Sequence, residues 1–439
     1  MNPFLQLIKP IKFYGKNADK PLAYRHYNSQ QIILGKTMEE HLKPALSYWH
    51  GFNWSGQDSN GDIISPNAWQ TITEPMPRAI ERVSTAFEFI EKLGLKYFTF
   101  HDRDIAPEED TLRQTQDNLS VIAGKIALEM QRSQIKLLWG AADLFSHHRY
   151  KSGAATNPDP QVFAYAIAQV KKAFDITHQL NGANFAILGG REGYDTLLNT
   201  NLAQELDQLG RFLSMLVDYK YKIGFKGILL IETKPCEPTK HQFDYDSATL
   251  FSFLQKYNLE NEFKVSIEAN QATLAGHSFP HEAAYGITNT ILGGIDINQA
   301  TYQQGWDTQQ FPTYLSEIVQ VMYLILHQGS LAEGGFNFDT KLRRQRIHLT
   351  DMLQGIVVGI DTLAHALINA ANLIETKELQ SFIQNRYNRW QLPLGESILQ
   401  GNIDFEAVAS EILKYDNNQS AMSDKNKALE YFLSFQPAQ

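Results

Sequence analysis

The 439-residue chain is predicted to be an α/β protein, a (β/α)8 TIM barrel with a C-terminal helical arm. Three observations predict this fold. Eight short runs rich in β-branched and aromatic residues recur along the chain, segments of helical periodicity separate them, and the runs are apolar without strict alternation. Continuous apolar runs are typical of strands buried on both faces of a parallel sheet. Eight such strands with intervening helices match a barrel in number and order.

The strand candidates are residues 45–50, 97–102, 135–140, 184–190, 227–235, 265–270, 293–298 and 334–339. The clearest crossover-helix candidates between them are residues 78–93, 161–180, 202–222 and 311–327. An open, doubly wound sheet is the rival architecture. Such a sheet would more naturally carry a glycine-rich nucleotide turn, and the chain contains neither GxGxxG nor GxxxxGK. A barrel without a nucleotide cofactor is therefore expected.

The end of the chain differs in character from the rest. A helical segment over residues 352–374 follows a basic cluster at 341–346 and would close the barrel. Residues 376–439 are polar and helical in pattern, and they contain no strand candidate. We therefore expect a barrel over residues 1–375 and an arm over residues 376–439 that packs on the barrel or on a neighbouring subunit.

Composition limits the partners and the compartment. The chain has 39 Lys and Arg against 48 Asp and Glu, a formal charge of −9, which argues against nucleic acid or an anionic membrane as the main partner. Cys236 is the single cysteine, so an internal disulfide is excluded. The first 20 residues lack a signal-peptide core, and no later apolar run approaches the roughly 20 residues that span a bilayer. A cytoplasmic protein is expected.

Each of the last four strand candidates ends in an acid. These acids are Glu232 in LLIETK, Glu268 in SIEAN, Asp296 in GIDIN and Asp339 in FNFD. In a barrel they would converge on the C-terminal rim, where such enzymes place their chemistry. Four carboxylates in one rim repel one another unless cations hold them, and hard oxygen ligands suit Mg²⁺ or Mn²⁺. The alternative is that each acid caps the helix after its strand.

Two further positions near the expected rim could take part in catalysis. His101 ends the second strand candidate, and Asp104 three residues later could orient its imidazole for proton transfer. Lys234 lies two residues past Glu232, on the same side of an extended chain, and could polarise a substrate oxygen. The alternatives are an ordinary loop histidine and a lysine that neutralises the neighbouring acids.

Aromatic residues also cluster at or after strand ends. The candidates for the wall of a sugar pocket are Trp49, Trp139 and Phe145. Aromatic walls with a few polar groups are a usual way to hold a sugar and exclude water. Barrel aromatics are often only core, so both interpretations stay open.

Several long segments resemble the xylose isomerase family, in its longer-chain class. They include FHDRDIAPE, GGREGYDTLLNT, LLIETKP, IEANQATLAGHSF and GGFNFDTKLRRQ, and the resemblance runs from about residue 21 to about residue 390. It implies a homotetrameric (β/α)8 barrel with two divalent metal ions, Mg²⁺ or alternatively Mn²⁺ or Co²⁺. The implied activity is that of an intramolecular oxidoreductase interconverting D-xylose and D-xylulose, and D-glucose and D-fructose.

The resemblance assigns roles to the residues already singled out. It makes Glu232, Glu268, Asp296 and Asp339 the complete first metal site. It makes His101 and Asp104 the pair that opens the sugar ring, and Lys234 the lysine near the substrate's first oxygen. The implied mechanism is ring opening followed by a metal-assisted 1,2-hydride shift, which requires no nicotinamide.

This chain departs from the family pattern at the second metal site. Glu268 and Asp307 remain, but Gln271 and Gln309 stand where the family has a histidine and a second aspartate. A neutral amide oxygen is a poorer ligand than either group, so this site is expected to be weaker.

The sugar pocket differs from the family pattern as well. Asn60, Ala141 and Leu188 replace a phenylalanine, a threonine and a tryptophan. Two hypotheses stand beside a xylose isomerase activity. Gln271 and Gln309 suggest a catalytically weakened sugar-binding or regulatory homologue, and Asn60 and Leu188 suggest an isomerase or epimerase for a different sugar.

Overall fold

The barrel is closed. The computed structural model describes residues 3–53, 68–188, 190–236, 238–299, 311, 313–329, 331, 333–340 and 349–414. Within these residues eight parallel strands pair in sequence order, and the last pairs with the first. They are β1 (Ala45–Ser47), β2 (Tyr97–His101), β3 (Lys136–Ala141), β4 (Asn184–Ile187), β5 (Ile228–Glu232), β6 (Phe263–Glu268), β7 (Leu292–Asp296) and β8 (Phe336–Phe338). The predicted barrel is confirmed, and the open sheet is wrong.

Helices follow the strands and cover the barrel. The crossover helices are α1 (Pro75–Leu93), α2 (Leu112–Ser133), α3 (Pro160–Gln179), α4 (Leu202–Ile223), α5 (Ser247–Lys256), α6 (Phe279–Thr288), α7 (Leu315–Gln328) and α8 (Leu349–Thr376). Shorter helices are Pro3–Leu7, Met38–Leu42, Trp49–Asn53, Ala68–Thr71, Asp102–Ile105, His148–Tyr150 and Ala269–Leu274. Two short antiparallel pairs, Ile32–Ile33 with Lys36–Thr37 and Gly193–Tyr194 with His241–Gln242, lie outside the barrel.

Local signals set the helix boundaries. Helix α1 starts with proline in its first turn and ends at Gly94, whose φ of 70° is the left-handed conformation that glycine adopts readily. Helix α3 starts at Asp159, whose side chain accepts a hydrogen bond from the backbone of Gln161. These capping residues explain why the predicted and observed boundaries agree within a few residues.

Strand register places acids on neighbouring strands within two residues of one another. Glu268 on β6 is the register partner of Asp296 on β7. Glu232 on β5 pairs with Ser266, two residues before Glu268, and Asp296 pairs with Asn337, two residues before Asp339. Because the strands are parallel, their carboxyl ends meet at the same rim.

Helix α8 corrects one expectation from the sequence. The segment Thr350–Thr376 is 27 residues long, and its most apolar 18-residue window has a mean hydropathy of 1.4, so the helix is long and apolar enough to cross a membrane. However, 67% of its most apolar window is buried inside the fold, and the helix packs along α7. Asp361 within it accepts hydrogen bonds from the backbone N–H groups of Arg25, His26 and Tyr27. The apolar character of α8 therefore belongs to a core helix.

The chain beyond α8 packs little against the barrel. Helices Glu378–Tyr387, Pro393–Leu399 and Phe405–Ile412, with the short turn Asn388–Gln391, occupy the described part of the predicted arm. Phe405 is 91% exposed and Leu413 84% exposed. The division into a barrel and an arm for subunit contacts stays a prediction.

Candidate active site

The four strand-end acids line one cavity at the carboxyl end of the barrel. Glu232, Glu268 and Asp296 end strands β5, β6 and β7, and Asp339 follows β8. All four border the cavity, which encloses about 550 Å³ including its open mouth. The structure thus brings together four residues that together span more than 100 positions of the sequence.

The environment of these acids disfavours their charged forms. Burial and the neighbouring carboxylates of Glu268 and Asp296 raise the pKa of Glu232 well above its usual value. Burial, then Asp339 and Glu268, raise the pKa of Asp296 in the same way. Asp296 Oδ1 is buried and has no hydrogen-bond partner among the residues that the structure describes. Oxygen donors in this state fit a divalent cation, which would remove the mutual repulsion.

Glu268 does not act as a helix cap. It precedes the short helix Ala269–Leu274 in the N-cap position, yet its side chain makes no capping hydrogen bond. Instead its Oε1 accepts a 2.6 Å hydrogen bond from Nδ2 of Asn298. The capping interpretation is therefore wrong for Glu268, and the carboxylate is held toward the rim.

Two asparagines lie beside the acids, and sequence reasoning missed both. Asn298 orients Glu268, and its own Oδ1 accepts from the backbone of Asn270 at 3.0 Å. Asn337 is the register partner of Asp296, and its Oδ1 accepts from Thr99 Oγ1 at 2.8 Å, while its buried Nδ2 has no hydrogen-bond partner among the described residues. Their signal was the repeated pattern of an amide two residues from a rim acid, in DIN and NFD. Amides carry no charge, so the repulsion argument did not select them.

His101 is fixed in orientation by Asp104. Asp104 Oδ2 accepts from the His101 backbone N–H at 2.9 Å and lies 2.7 Å from ring Nδ1. This arrangement places a proton on Nδ1, while Nε2 has no partner among the described residues. Burial alone would lower the pKa of His101, but the carboxylates of Asp104, Asp143 and Asp339, with Asp104 contributing most, together outweigh burial and raise the pKa to about 9.

Aromatic rings enclose this histidine. The ring centroids of Trp49, Trp139 and Phe145 lie 5.6, 5.8 and 5.7 Å from that of His101. All three line the cavity with His101. Trp139 lies within β3, and Trp49 begins the helix after β1. The three predicted wall residues thus form one apolar surface around a titratable group.

The rest of the wall is formed by Lys234, Leu188 and Gly190. The backbone N–H of Lys234 donates to Asp244 O at 2.8 Å, which anchors the loop after β5. A side chain at Gly190 would meet Cβ of Phe145 at 2.6 Å, so glycine allows this close approach. Ala141 ends β3 and is fully buried, but it is not among the cavity-lining residues.

Gln271 lies in the first turns after β6, as the sequence placed it. Its side chain is 1% exposed, and neither amide atom has a hydrogen-bond partner among the described residues. A buried amide without partners is costly, so its oxygen is available to a ligand. Asp307, Gln309 and Asn60 lie outside the described residues.

An acidic cavity at the carboxyl end of a closed barrel is where (β/α)8 enzymes carry out their chemistry, and this protein is an enzyme of that class. Its curated relatives narrow the class. It is 48% identical over 428 residues to a xylose isomerase of Pseudomonas savastanoi pv. phaseolicola, 98% of each chain being covered. It is 49% identical to the Pseudomonas fluorescens (strain Pf0-1) enzyme of that name over the same shares. The chain belongs to the xylose isomerase family.

A likeness to solved structures supports the fold alone. A D-psicose 3-epimerase with D-tagatose from Clostridium cellulolyticum H10 superposes with a TM-score of 0.50 at 9% identity, covering 74% of this chain and 99% of that one. No family model matches the chain.

Proposed function

We propose that this protein is an aldose–ketose isomerase that interconverts D-xylose and D-xylulose, with D-glucose and D-fructose as a second pair. The observation that carries the proposal is the single cavity that holds all four rim acids together with His101 and Lys234. Family membership at 48% identity over 98% of the chain supports the same reaction.

The rim acids are the proposed ligands of the first divalent cation. Glu232, Glu268, Asp296 and Asp339 supply oxygen donors whose charged forms are destabilised by burial and repulsion. Such donors suit Mg²⁺, Mn²⁺ or Co²⁺. A cation held there would supply polarisation of neighbouring sugar oxygens, which is what a 1,2-hydride shift requires. Asn298 orients Glu268 and is proposed as a supporting residue.

His101 is the proposed proton donor for opening the sugar ring. Asp104 holds Nδ1, so only Nε2 can face the substrate. With a pKa of about 9, the imidazole is protonated at neutral pH and can donate a proton to a ring oxygen. The surrounding Trp49, Trp139 and Phe145 exclude water from this transfer.

Lys234 is the proposed partner of the oxygen at the substrate's first carbon. It borders the cavity beside Glu232, and its backbone is anchored by Asp244. An ammonium at this position stabilises negative charge that develops on a carbonyl oxygen.

The second cation is proposed to bind weakly. The amide of Gln271 offers one neutral oxygen where the family has an imidazole, and Gln309 removes one negative charge. We therefore propose one tightly bound and one weakly bound ion per chain.

A different sugar is the second candidate. Leu188, where the family has a tryptophan, lines the cavity directly, and a smaller side chain there leaves more room for substrate. A panel of pentoses and hexoses separates this candidate from a xylose isomerase. A weakened sugar-binding homologue is the remaining alternative, and turnover at a physiological rate would remove it.

The assay that tests the proposal uses purified protein saturated with Mg²⁺, Mn²⁺ or Co²⁺ and measures ketose formation from each aldose. The test variant is Lys234→Gln, which removes the ammonium group and keeps the rim acids. The proposal predicts ketose from D-xylose in the wild type and a loss of roughly 10²-fold or more in the variant.

We further propose a homotetramer in the cytoplasm. The arm leaves Leu399, Phe405 and Leu413 exposed, which suits burial against neighbouring subunits. In analytical ultracentrifugation, a chain that ends at Thr376 should form particles with fewer subunits than the full chain forms. The same number of subunits per particle in both would contradict the proposed role of the arm.

A further inference from the structure

A second group of metal-ligating side chains lies apart from the rim cavity, at the start of α6. His277, His281 and Glu282 each offer one ligand atom, and these atoms all lie within 4.8 Å of one another. Around a tetrahedral zinc ion, ligand atoms are about 3.4 Å apart, so a small contraction would complete the contacts. None of these residues borders the rim cavity.

Asp246 lies beside this group of three. Its Oδ2 lies 3.1 Å from Nε2 of His277, and Oε1 of Glu282 lies 3.8 Å from the same nitrogen. The three residues and Asp246 together offer two imidazoles and two carboxylates. Imidazole with carboxylate is a donor set that suits Zn²⁺ and neighbouring transition metals better than Mg²⁺ or Ca²⁺.

Both carboxylates are already oriented by the backbone. Oδ1 of Asp246 accepts from the N–H of Thr249 at 2.7 Å, and Oε2 of Glu282 accepts from the N–H of Ser247 at 3.0 Å. In each acid, one oxygen thus accepts a hydrogen bond from the backbone at the start of α5, and the other oxygen lies toward His277. Holding ligands in place in this way is what supporting hydrogen bonds do in metal centres.

The residues of the group differ in their exposure to solvent, from buried to exposed. Glu282 is 2% exposed, the His277 side chain is 33% exposed, and His281 is exposed at the surface. A cation could therefore enter from solvent past His281 and bind the buried carboxylate of Glu282. The His277 and His281 rings lie 4.7 Å apart, which keeps both near the mouth of the group.

We propose that His277, His281, Glu282 and Asp246 form a transition-metal site of the Zn²⁺ class, separate from the catalytic cations. The site would join the loop before α5 to the turn before α6. Both segments contact loops that carry residues of the candidate active site. Lys234 N–H donates to Asp244 O, and His277 N–H donates to the backbone O of Ala272, next to Gln271.

The test uses Co²⁺ as the probe, because four-coordinate Co²⁺ absorbs visible light much more strongly than six-coordinate Co²⁺ in an oxygen site. Full-length protein is stripped of metal and titrated with Co²⁺ in excess Mg²⁺. The titration is repeated with Glu232→Gln/Asp296→Asn, which removes two rim ligands. One strongly absorbing Co²⁺ per chain is expected in both proteins.

The exposed ligand provides the decisive variant. His281→Ala should weaken this Co²⁺ binding roughly ten-fold or more and abolish the strong absorption, in the wild-type and in the rim-variant background. The matched control is His178→Ala, a surface histidine on α3, which should keep both. Absence of a strongly absorbing ion, or equal absorption after His281→Ala, would overturn the proposal. In that case His277 simply hydrogen-bonds Asp246.

Discussion

Asn298 donates a 2.6 Å hydrogen bond from Nδ2 to Oε1 of Glu268 on the neighbouring strand. Its Oδ1 is occupied by the backbone N–H of Asn270, so the amide cannot rotate without losing a contact. A rim carboxylate is therefore held in place by a neutral side chain that follows β7.

Asn298→Ala should lower the affinity for the tight cation by about 10- to 100-fold, because Glu268 loses the group that orients it. Calorimetric titration with Mn²⁺ measures the change. The matched control is Asn118→Ala on α2, an asparagine remote from the rim. Unchanged Mn²⁺ affinity in Asn298→Ala would show that Glu268 needs no such support.

Asp104→Asn should lower the pKa of His101 from about 9. Burial favours the neutral imidazole, and the variant removes the carboxylate that opposes burial most. Proton NMR titration of the metal-free protein reports this shift, and kcat on D-xylose should fall by roughly 10²-fold. A His101 pKa that stays near 9 would disprove the assigned cause.

Metal-free protein should lose stability as pH rises from mildly acidic values. Glu232 and Asp296 have folded-state pKa values above their unfolded values. The stability that their protonation contributes is complete below the unfolded pKa values, about 4, and is lost as pH rises through the raised folded values.

Added Mg²⁺ should reverse this trend, because the cation binds the deprotonated acids. The difference in Tm with and without Mg²⁺ should therefore grow as pH rises. Differential scanning calorimetry across the pH series measures it. In Glu232→Gln/Asp296→Asn the difference should be small and flat, and a wild-type difference that does not depend on pH would contradict the account.

Gln271→His with Gln309→Asp should raise the number of bound divalent ions from one to two per chain at moderate concentration. The changes restore an imidazole and a negative charge to the second site. Isomerase activity should rise in step with occupancy. Equal stoichiometry and activity in the wild type and the double variant would reject a weakened second site.

The sequence predicted the barrel and the rim acids for related reasons. Apolar runs mark strands buried on both faces, and parallel strands bring Glu232, Glu268 and Asp296 to one edge. It did not select Asn298, because the role of this residue depends on the register between strands β6 and β7. Neither did it foresee that three aromatic rings from separate segments surround His101. Such proximity follows from three-dimensional packing, which spacing along the chain does not encode.

Helix α8 is an element whose composition alone would suggest the wrong environment. Its composition passes a simple test for a membrane span, and only its burial against α7 and the barrel explains the apolar residues. The role of the arm in subunit contacts stays a prediction, since a single chain shows only that Phe405 and Leu413 are exposed.

Ketose formation from D-xylose by the Mg²⁺-saturated enzyme is the most direct test of the central claim. We predict D-xylulose from the wild type and a loss of roughly 10²-fold or more in Lys234→Gln. Failure of the wild type to form ketose from any pentose or hexose with Mg²⁺, Mn²⁺ or Co²⁺ would contradict the account.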